Sequence, residues 1–165
     1  STLDGIPMAT RCGQLDPGVI LYLLEGGRRS EAEVSDILYN KSGLLGMSGI
    51  SADSRELLAS DRPEAREALD VFAFRIAGEI ARLAATMGGL DAIVFTAGVG
   101  ENQPRVRAAV ADRLAWLGLA LDAEANAGNA TCISAATSPV SAFVIPTDEE
   151  QVIADEAESV LAVTR

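Results

Sequence analysis

Apolar residues along the chain recur mainly at the spacing of amphipathic helices, and two short apolar runs interrupt that spacing. The first helices carry clear terminal signals. Asp16 before Pro17 predicts an N-cap with proline at the first helical position, and the apolar run that follows ends at a pair of glycines. Ser30 with Glu33 predicts a capping box that opens a helix continuing to about Asn40.

The next part of the chain predicts a loop and two further helices. Residues 41–50 are rich in glycine and predict a loop, after which Ser51 is the expected cap of a short helix. The longest periodic segment begins at Pro63 and stops at two glycines after Met87. Its apolar face is predicted to comprise Leu69, Phe72, Phe74, Ile76, Ile80 and Leu83.

The two short apolar runs, residues 91–96 and 142–146, predict strands that are buried on both faces. A predicted helix follows each strand at once. One begins at Pro104, and the other lies behind a capping box formed by Thr147 and Glu150. Strands of this kind, each leading into a helix, predict a parallel sheet covered by helices, so the fold class is α/β.

The predicted sheet has few strands for a domain that folds alone. Only residues 5–10 and 119–122 offer further candidates, and the chain begins in the middle of a pattern. We therefore expect residues 1–165 to be one domain taken from a larger protein.

Composition excludes several classes of function. The chain has 24 acidic against 13 basic residues and a net charge of −11, which repels nucleic acid and anionic membranes. No apolar run approaches the roughly 20 residues that span a bilayer, and the start does not resemble a signal peptide, so we expect a cytoplasmic protein. Because histidine is absent, chemistry must rest on carboxylates, arginines, backbone amides and a metal ion.

Residues 96–102, "TAGVGEN", link the first predicted strand to a helix, which is where parallel sheets bind ligands. Gly98 and Gly100 would let the backbone approach a ligand closely. The dinucleotide fingerprint is not met, since Gln103 occupies its third glycine position, and no Walker A lysine follows. On this pattern alone, an ordinary tight turn and a ligand-binding loop remain open.

Three other positions are candidates for chemistry, each with a plainer alternative. Glu149, after the second strand, is suited to hold Mg²⁺ directly or through water. The plainer alternative is that its negative charge is stabilised by the dipole at the start of the helix. Arg11 follows an extended segment and is suited to a phosphoryl or carboxylate oxygen, although lone arginines are commonly solvated. Asp53 and Arg55 lie in the first turn of a helix, where complementing the helix dipole and forming a surface ion pair are the default roles.

Four blocks in order resemble the acetate kinase family, and they extend over nearly the whole chain. The blocks are "MATRCGQLDPG", "KSGLLGMSGISADSREL", "DAIVFTAGVGENQPRVR" and "FVIPTDEEQVIA". The resemblance implies the second RNase H-like domain of an actin-like and sugar-kinase ATPase, truncated at its N-terminal strands. It also implies the reversible conversion of acetate and ATP to acetyl phosphate and ADP with Mg²⁺, in a homodimer. Propionate kinase shares most of these blocks.

The resemblance carries roles onto individual residues. Arg11 matches the arginine that contacts the transferring phosphoryl group, and Glu149 matches the metal-linked glutamate. The block that lines the family's adenosine pocket is matched by Asp53, Ser54 and Arg55. The family's second nucleotide loop is matched by Gly98, Val99, Gly100, Glu101 and Asn102.

Departures from the family pattern qualify what this chain does. Ala9 stands where the family has glycine, and Ser54 replaces a bulkier apolar residue, which weakens any role in base packing. The family's N-terminal half and its histidine-containing phosphate loop have no counterpart here. The resemblance therefore implies a C-terminal part that is inactive alone. A non-catalytic module for dimerisation or nucleotide binding and, less favoured, an NAD-binding domain are the alternatives.

Overall fold

The computed structural model describes residues 2–163, except for the side chains of Glu149, Ala162 and Val163. Four helices form the first part of the chain: α1 (Pro17–Leu24), α2 (Glu31–Asn40), α3 (Gly43–Ser48) and α4 (Ser54–Ala59). The first two begin as predicted. The Asp16 side chain accepts a hydrogen bond from the Gly18 N–H, and Ser30 and Glu33 form the complete capping box.

Helix α3 corrects the prediction of a loop over residues 41–50. Glycine acts here at the two ends of a helix instead of breaking it. Gly43 opens α3 with φ of 60°, and a Cβ at that position would meet the Met8 carbonyl oxygen, so the close approach of two segments requires glycine. Gly49 ends α3 in the left-handed region.

The cap of α4 also differs from the prediction. Asp53, and not Ser51, is the N-cap, and its Oδ1 accepts from the Arg55 N–H at 2.8 Å. The Ser51 Oγ instead accepts from the Asp53 N–H at 3.0 Å, so Ser51 shapes the turn before the helix.

The 25-residue helix α5 (Pro63–Met87) is the central helix of the fold. Its predicted apolar face is only partly correct, since Phe74 and Leu83 are 61% and 47% exposed. The buried face of α5 consists mostly of alanine, whose small side chain lets neighbouring helices approach closely. Its buried residues are Ala65, Ala68, Phe72, Ala73, Ala77 and Ala84. The shorter helices α3 and α4 and the later helix α7 (Pro104–Arg113) pack against it.

The two named strands of the described residues, β1 (Ala92–Phe95) and β2 (Ser141–Val144), form a parallel pair. Their register runs from Ala92 opposite Ser141 to Phe95 opposite Val144. The α/β class and the parallel arrangement are confirmed, but burial on both faces is wrong. Alternate residues face the core, and Val94 on the other face is 51% exposed, because the described helices cover one face only.

The remaining elements complete the chain after β1. These are α6 (Ala97–Asn102), the 3₁₀ turn Ala115–Leu117, α8 (Ala123–Ala127) and α9 (Glu149–Val163). Residues 5–10 contain no strand, and residues 119–122 contribute only isolated bridges from Leu119 to Val140 and from Leu121 to Ser134. Within the described range, no helix is both long and apolar enough to cross a membrane.

Candidate functional site

A cleft of about 560 Å³ opens beyond the carboxyl end of β1, between α4 and α6. It brings together two segments that are nearly fifty residues apart in sequence. Its lining comprises Ala52, Asp53, Ser54, Arg55, Gly98, Val99, Asn102 and Gln103. Six of the eight residues predicted to contact nucleotide therefore line one cavity, and the exceptions are Gly100 and Glu101. A separate groove of about 410 Å³ between α5 and α7 contains none of the predicted residues.

The wall of the cleft formed by the start of α4, residues 52–55, carries an ion pair. The Arg55 Nη2 donates to Asp53 Oδ2 at 2.6 Å, and Arg55 Nε donates to both carboxylate oxygens at 3.0 and 3.1 Å. These hydrogen bonds lower the pKa of Asp53 and raise that of Arg55. The pair holds a guanidinium at the cleft and neutralises the carboxylate that would repel an anionic ligand.

The wall formed by α6 corrects the prediction of an irregular glycine loop, because residues 97–102 are helical. The helix opens at Ala97, whose φ of 57° is unusual for a residue with a side chain. Gly98 faces open space, and its carbonyl accepts from Asn102 Nδ2 at 3.0 Å. Gly100 has another reason to be glycine: a Cβ there would lie 3.1 Å from the backbone carbonyl carbon of Phe95 in β1.

A buried hydrogen bond joins the two walls. The Gln103 Nε2 donates to Ser54 Oγ at 2.6 Å, and both side chains are buried. The Gln103 Oε1 is buried without a partner among the described residues. At the sequence level Gln103 served only to reject a dinucleotide fingerprint, so this link was missed, and nothing in local spacing signals a contact across 49 positions.

Beneath the α6 wall lies Arg107 of α7, which sequence analysis also missed. Its side chain is 0% exposed. The Nη1 donates to the carbonyl oxygens of Gly100 and Glu101 at 2.7 and 2.9 Å. The Nε and Nη2 donate to the Asn126 side chain and carbonyl at 2.7 and 2.6 Å, and Nη2 also donates to Asn129 Oδ1 at 2.6 Å. Burial lowers the pKa of this guanidinium, which remains charged near neutrality.

Glu101 points away from the cleft and contacts the connection between β2 and α9. Its Oε1 accepts from the Thr147 N–H at 3.0 Å and lies 3.3 Å from Thr147 Oγ1. The predicted capping box of Thr147 and Glu150 is therefore corrected, since Thr147 bonds Glu101 and the Asp148 Oδ1 accepts from the Gln151 N–H. Glu101 instead ties α6 to the segment that leads into Glu149.

The two remaining candidates do not join the cleft in the described structure. Arg11 is half-buried, and its Nη1 donates to the Thr2 carbonyl oxygen at 3.2 Å, away from the cleft lining. Glu149 begins α9, but its side chain lies outside the described part of the chain. The described residues contain no group of three or more carboxylate or thiol side chains arranged to hold a metal ion.

An α/β chain with a cleft at the carboxyl end of a parallel strand has the architecture of a small-ligand-binding enzyme domain. The sequence model of the Acetokinase family matches residues 1–155, so the chain belongs to that family.

Individual relatives agree with this assignment. The acetate kinase of Rhodopseudomonas palustris (strain TIE-1) is 55% identical over 156 residues, which cover 93% of this chain and 39% of the relative. That of Methylocella silvestris is 53% identical over 154 residues, covering 93% and 38%. The crystal structure of Porphyromonas gingivalis acetate kinase matches with a TM-score of 0.87 at 38% identity, covering 96% of this chain and 41% of the other.

A propionate kinase of Francisella tularensis matches equally well in structure, with a TM-score of 0.87 at 36% identity, covering 93% of this chain and 40% of the other. The chain thus spans about 39% of the length of the curated relatives that it matches.

Proposed function

We propose that residues 1–165 form the C-terminal nucleotide-binding domain of an acetate kinase, which transfers a phosphoryl group reversibly between ATP and acetate. The observation that carries the proposal is the cleft lined by residues 52–55, 98–99 and 102–103. Two of the four family-like blocks supply these residues, although they lie far apart in the chain. A cavity of about 560 Å³ is large enough for a nucleotide-sized ligand.

The charges of the cleft support a nucleotide as the ligand despite the net charge of −11. Arg55 lies at the opening with its side chain 80% exposed, and its pairing with Asp53 neutralises that carboxylate locally. Phosphoryl transfer depends on positioning and charge stabilisation more than on a nucleophilic side chain, so the absence of histidine is compatible with this chemistry.

Mg²⁺ fits this proposal as an ion that the nucleotide brings with it. Magnesium at such sites keeps several waters and is held by one or two carboxylates together with substrate phosphates. Glu149 remains the predicted protein contact, directly or through water, and Arg11 the predicted contact of the transferring phosphoryl group.

Calorimetry tests the proposal on the 165-residue chain. We expect ATP and ADP to bind in the presence of Mg²⁺, NAD to bind at least tenfold more weakly, and Arg55→Gln to weaken ATP binding. Arg29→Gln is the matched control, since Arg29 pairs with Glu33 and neither residue lines the cleft. Equal affinity for NAD and ATP, or no binding of either, would contradict the proposal.

Catalysis is expected only when the rest of an intact kinase is present, because this chain spans 39% of the length of its relatives. A hydroxamate assay should detect no acetyl phosphate from the chain alone, and turnover at ordinary kinase rates would contradict that expectation. Propionate is the second candidate substrate, favoured by the structural match to a propionate kinase. We also propose a homodimer, since α1 and α9 expose large apolar side chains.

A further inference from the structure

We propose that Arg107 is a positioning residue of the nucleotide cleft, which holds α6 in its binding conformation from beneath without contacting the ligand. The inference rests on the proposed function for its ligand, a nucleoside di- or triphosphate. It does not depend on that function for the effect on α6 itself.

The first observation is that every N–H group of the Arg107 guanidinium donates a hydrogen bond. Its five N–H donors meet five acceptors, which belong to Gly100, Glu101, Asn126 and Asn129. Gly100 and Glu101 lie in the last turn of α6, where a helix has no internal donors for its carbonyl groups. Arg107 supplies donors to these two carbonyl groups, so α7 holds the C-terminal turn of α6 in addition to the bond from the Gln103 N–H to the Val99 carbonyl.

The second observation is the absence of a counter-charge. All five acceptors are neutral amide or carbonyl oxygens, and no ion pair of Arg107 is found among the described residues. A buried charge without a counter-charge is costly to desolvate, and here only the hydrogen bonds to neutral oxygens offset that cost. The arginine therefore depends on the position of these acceptors, two of which are carbonyl oxygens of α6.

The third observation is where buried polarity occurs in the molecule. The buried polar or charged residues of the described chain are Ser48, Ser54, Gln103, Arg107 and Asn126. The last four form two hydrogen-bonded groups on either side of α6: Ser54 with Gln103, and Arg107 with Asn126. The buried polar contacts of the fold are thus concentrated around the one segment that forms the α6 wall of the cleft.

Two variants test the inference in the full chain. Arg107→Lys keeps the positive charge but offers three donors in place of five, without the planar fork. Asn129→Gly removes one acceptor at the exposed edge, and glycine suits the φ of 52° at that position. Arg113→Met is the matched control, since Arg113 lies on the same helix but bonds Asp70 and the Ala109 carbonyl.

Amide hydrogen exchange and ATP affinity are the two measurements. For Arg107→Lys we expect exchange in residues 97–102 to accelerate at least tenfold, with exchange in β1 and α5 changed less than threefold, and ATP affinity reduced about tenfold. For Asn129→Gly we expect a smaller effect of about threefold on both measurements. Arg113→Met should leave exchange in α6 and ATP affinity unchanged.

Each outcome has a definite meaning. Unchanged exchange in residues 97–102 for both variants would overturn the inference. Faster exchange throughout the protein, or faster exchange in α6 with unchanged ATP affinity, would make Arg107 purely structural and also overturn it. If the unsubstituted chain binds no nucleotide, the proposed function fails, whereas the exchange measurement still decides whether Arg107 holds α6.

Discussion

The two walls of the cleft are held in different ways. The α4 wall is fixed by contacts within a few residues, since Asp53 caps α4 and pairs with Arg55 two positions later. The α6 wall is fixed by distant groups: Arg107 joins it to Asn126 and Asn129, and Glu101 joins it to Thr147, 46 residues away.

The ion pair of the α4 wall is exposed to solvent, whereas the hydrogen bonds of Arg107 behind the α6 wall are buried. The Arg55 side chain is 80% exposed, so water and salt weaken its pairing with Asp53. Arg107 is fully buried, and each of its hydrogen bonds is lost at a high cost if a partner is removed. We therefore expect substitutions of the buried groups that join or support the walls to have larger effects than substitutions of the exposed ion pair on the α4 wall.

The largest effect among the cleft residues apart from Arg107 is expected for Ser54→Ala, which breaks the bond between the walls. Gln103 would then be buried with its amide nitrogen unpaired in addition to Oε1. The expected loss is about 1–3 kcal/mol of unfolding free energy, measured by urea denaturation. Ser159→Ala is the control, because its Oγ bonds the Asp155 carbonyl on an exposed helix.

A double variant sharpens this result. Combining Ser54→Ala with Gln103→Leu removes both polar partners, and such paired removal is often nearly neutral. The double variant should therefore be more stable than Ser54→Ala alone. If Ser54→Ala is no more destabilising than Ser159→Ala, the bond between the walls contributes nothing and the comparison fails.

A smaller effect is expected from the two glycines of α6, which form a matched pair. Gly98→Ala places a methyl group in open space and should stabilise the helix by about 0.5 kcal/mol. Gly100→Ala places it 3.1 Å from the Phe95 backbone, which is held in the sheet by its bond to the Ile145 N–H. The expected cost is about 1 kcal/mol.

Urea denaturation of both variants measures this difference, and ATP affinity provides a second comparison. Gly98→Ala should bind ATP more weakly in spite of its greater stability, since its methyl group enters the cleft. Equal stability of the two variants would show that β1 yields to the added carbon and that Gly100 is not needed for packing.

The sequence predicted the parts of this molecule that depend on near neighbours. Capping residues such as Asp16 and Ser30 act within three positions, so they could be identified before the structure was known. The cleft residues could be grouped only through the family resemblance, because no local sequence pattern indicates that residues 53–55 lie beside residues 98–102. Arg107 could not be predicted, since five neutral acceptors leave no paired charge in the sequence to indicate that it is buried.

Other errors have the same origin in tertiary packing. Counting large apolar side chains on α5 placed Phe74 and Leu83 inside, whereas close packing selects alanines such as Ala65 and Ala73. Glycine-rich residues 41–50 predicted a loop because local propensity does not register that Gly43 begins a helix against the Met8 backbone.

The smallest effect is expected for the ion pair of the α4 wall, and pH reveals it. The Arg55 hydrogen bonds lower the pKa of Asp53 in the folded state, so the pair adds stability above the unfolded pKa of about 3.9 and loses it as pH falls through the lower folded value. Asp53→Asn keeps the cap but removes the charge. Its stability deficit should be constant from about pH 7 to pH 5 and should shrink below about pH 4. Arg55→Gln should show the same profile, and 1 M NaCl should reduce both deficits, since salt screens exposed charges. If Asp53→Asn is as stable as the unsubstituted chain at pH 7, Asp53 stabilises the α4 wall through its cap alone.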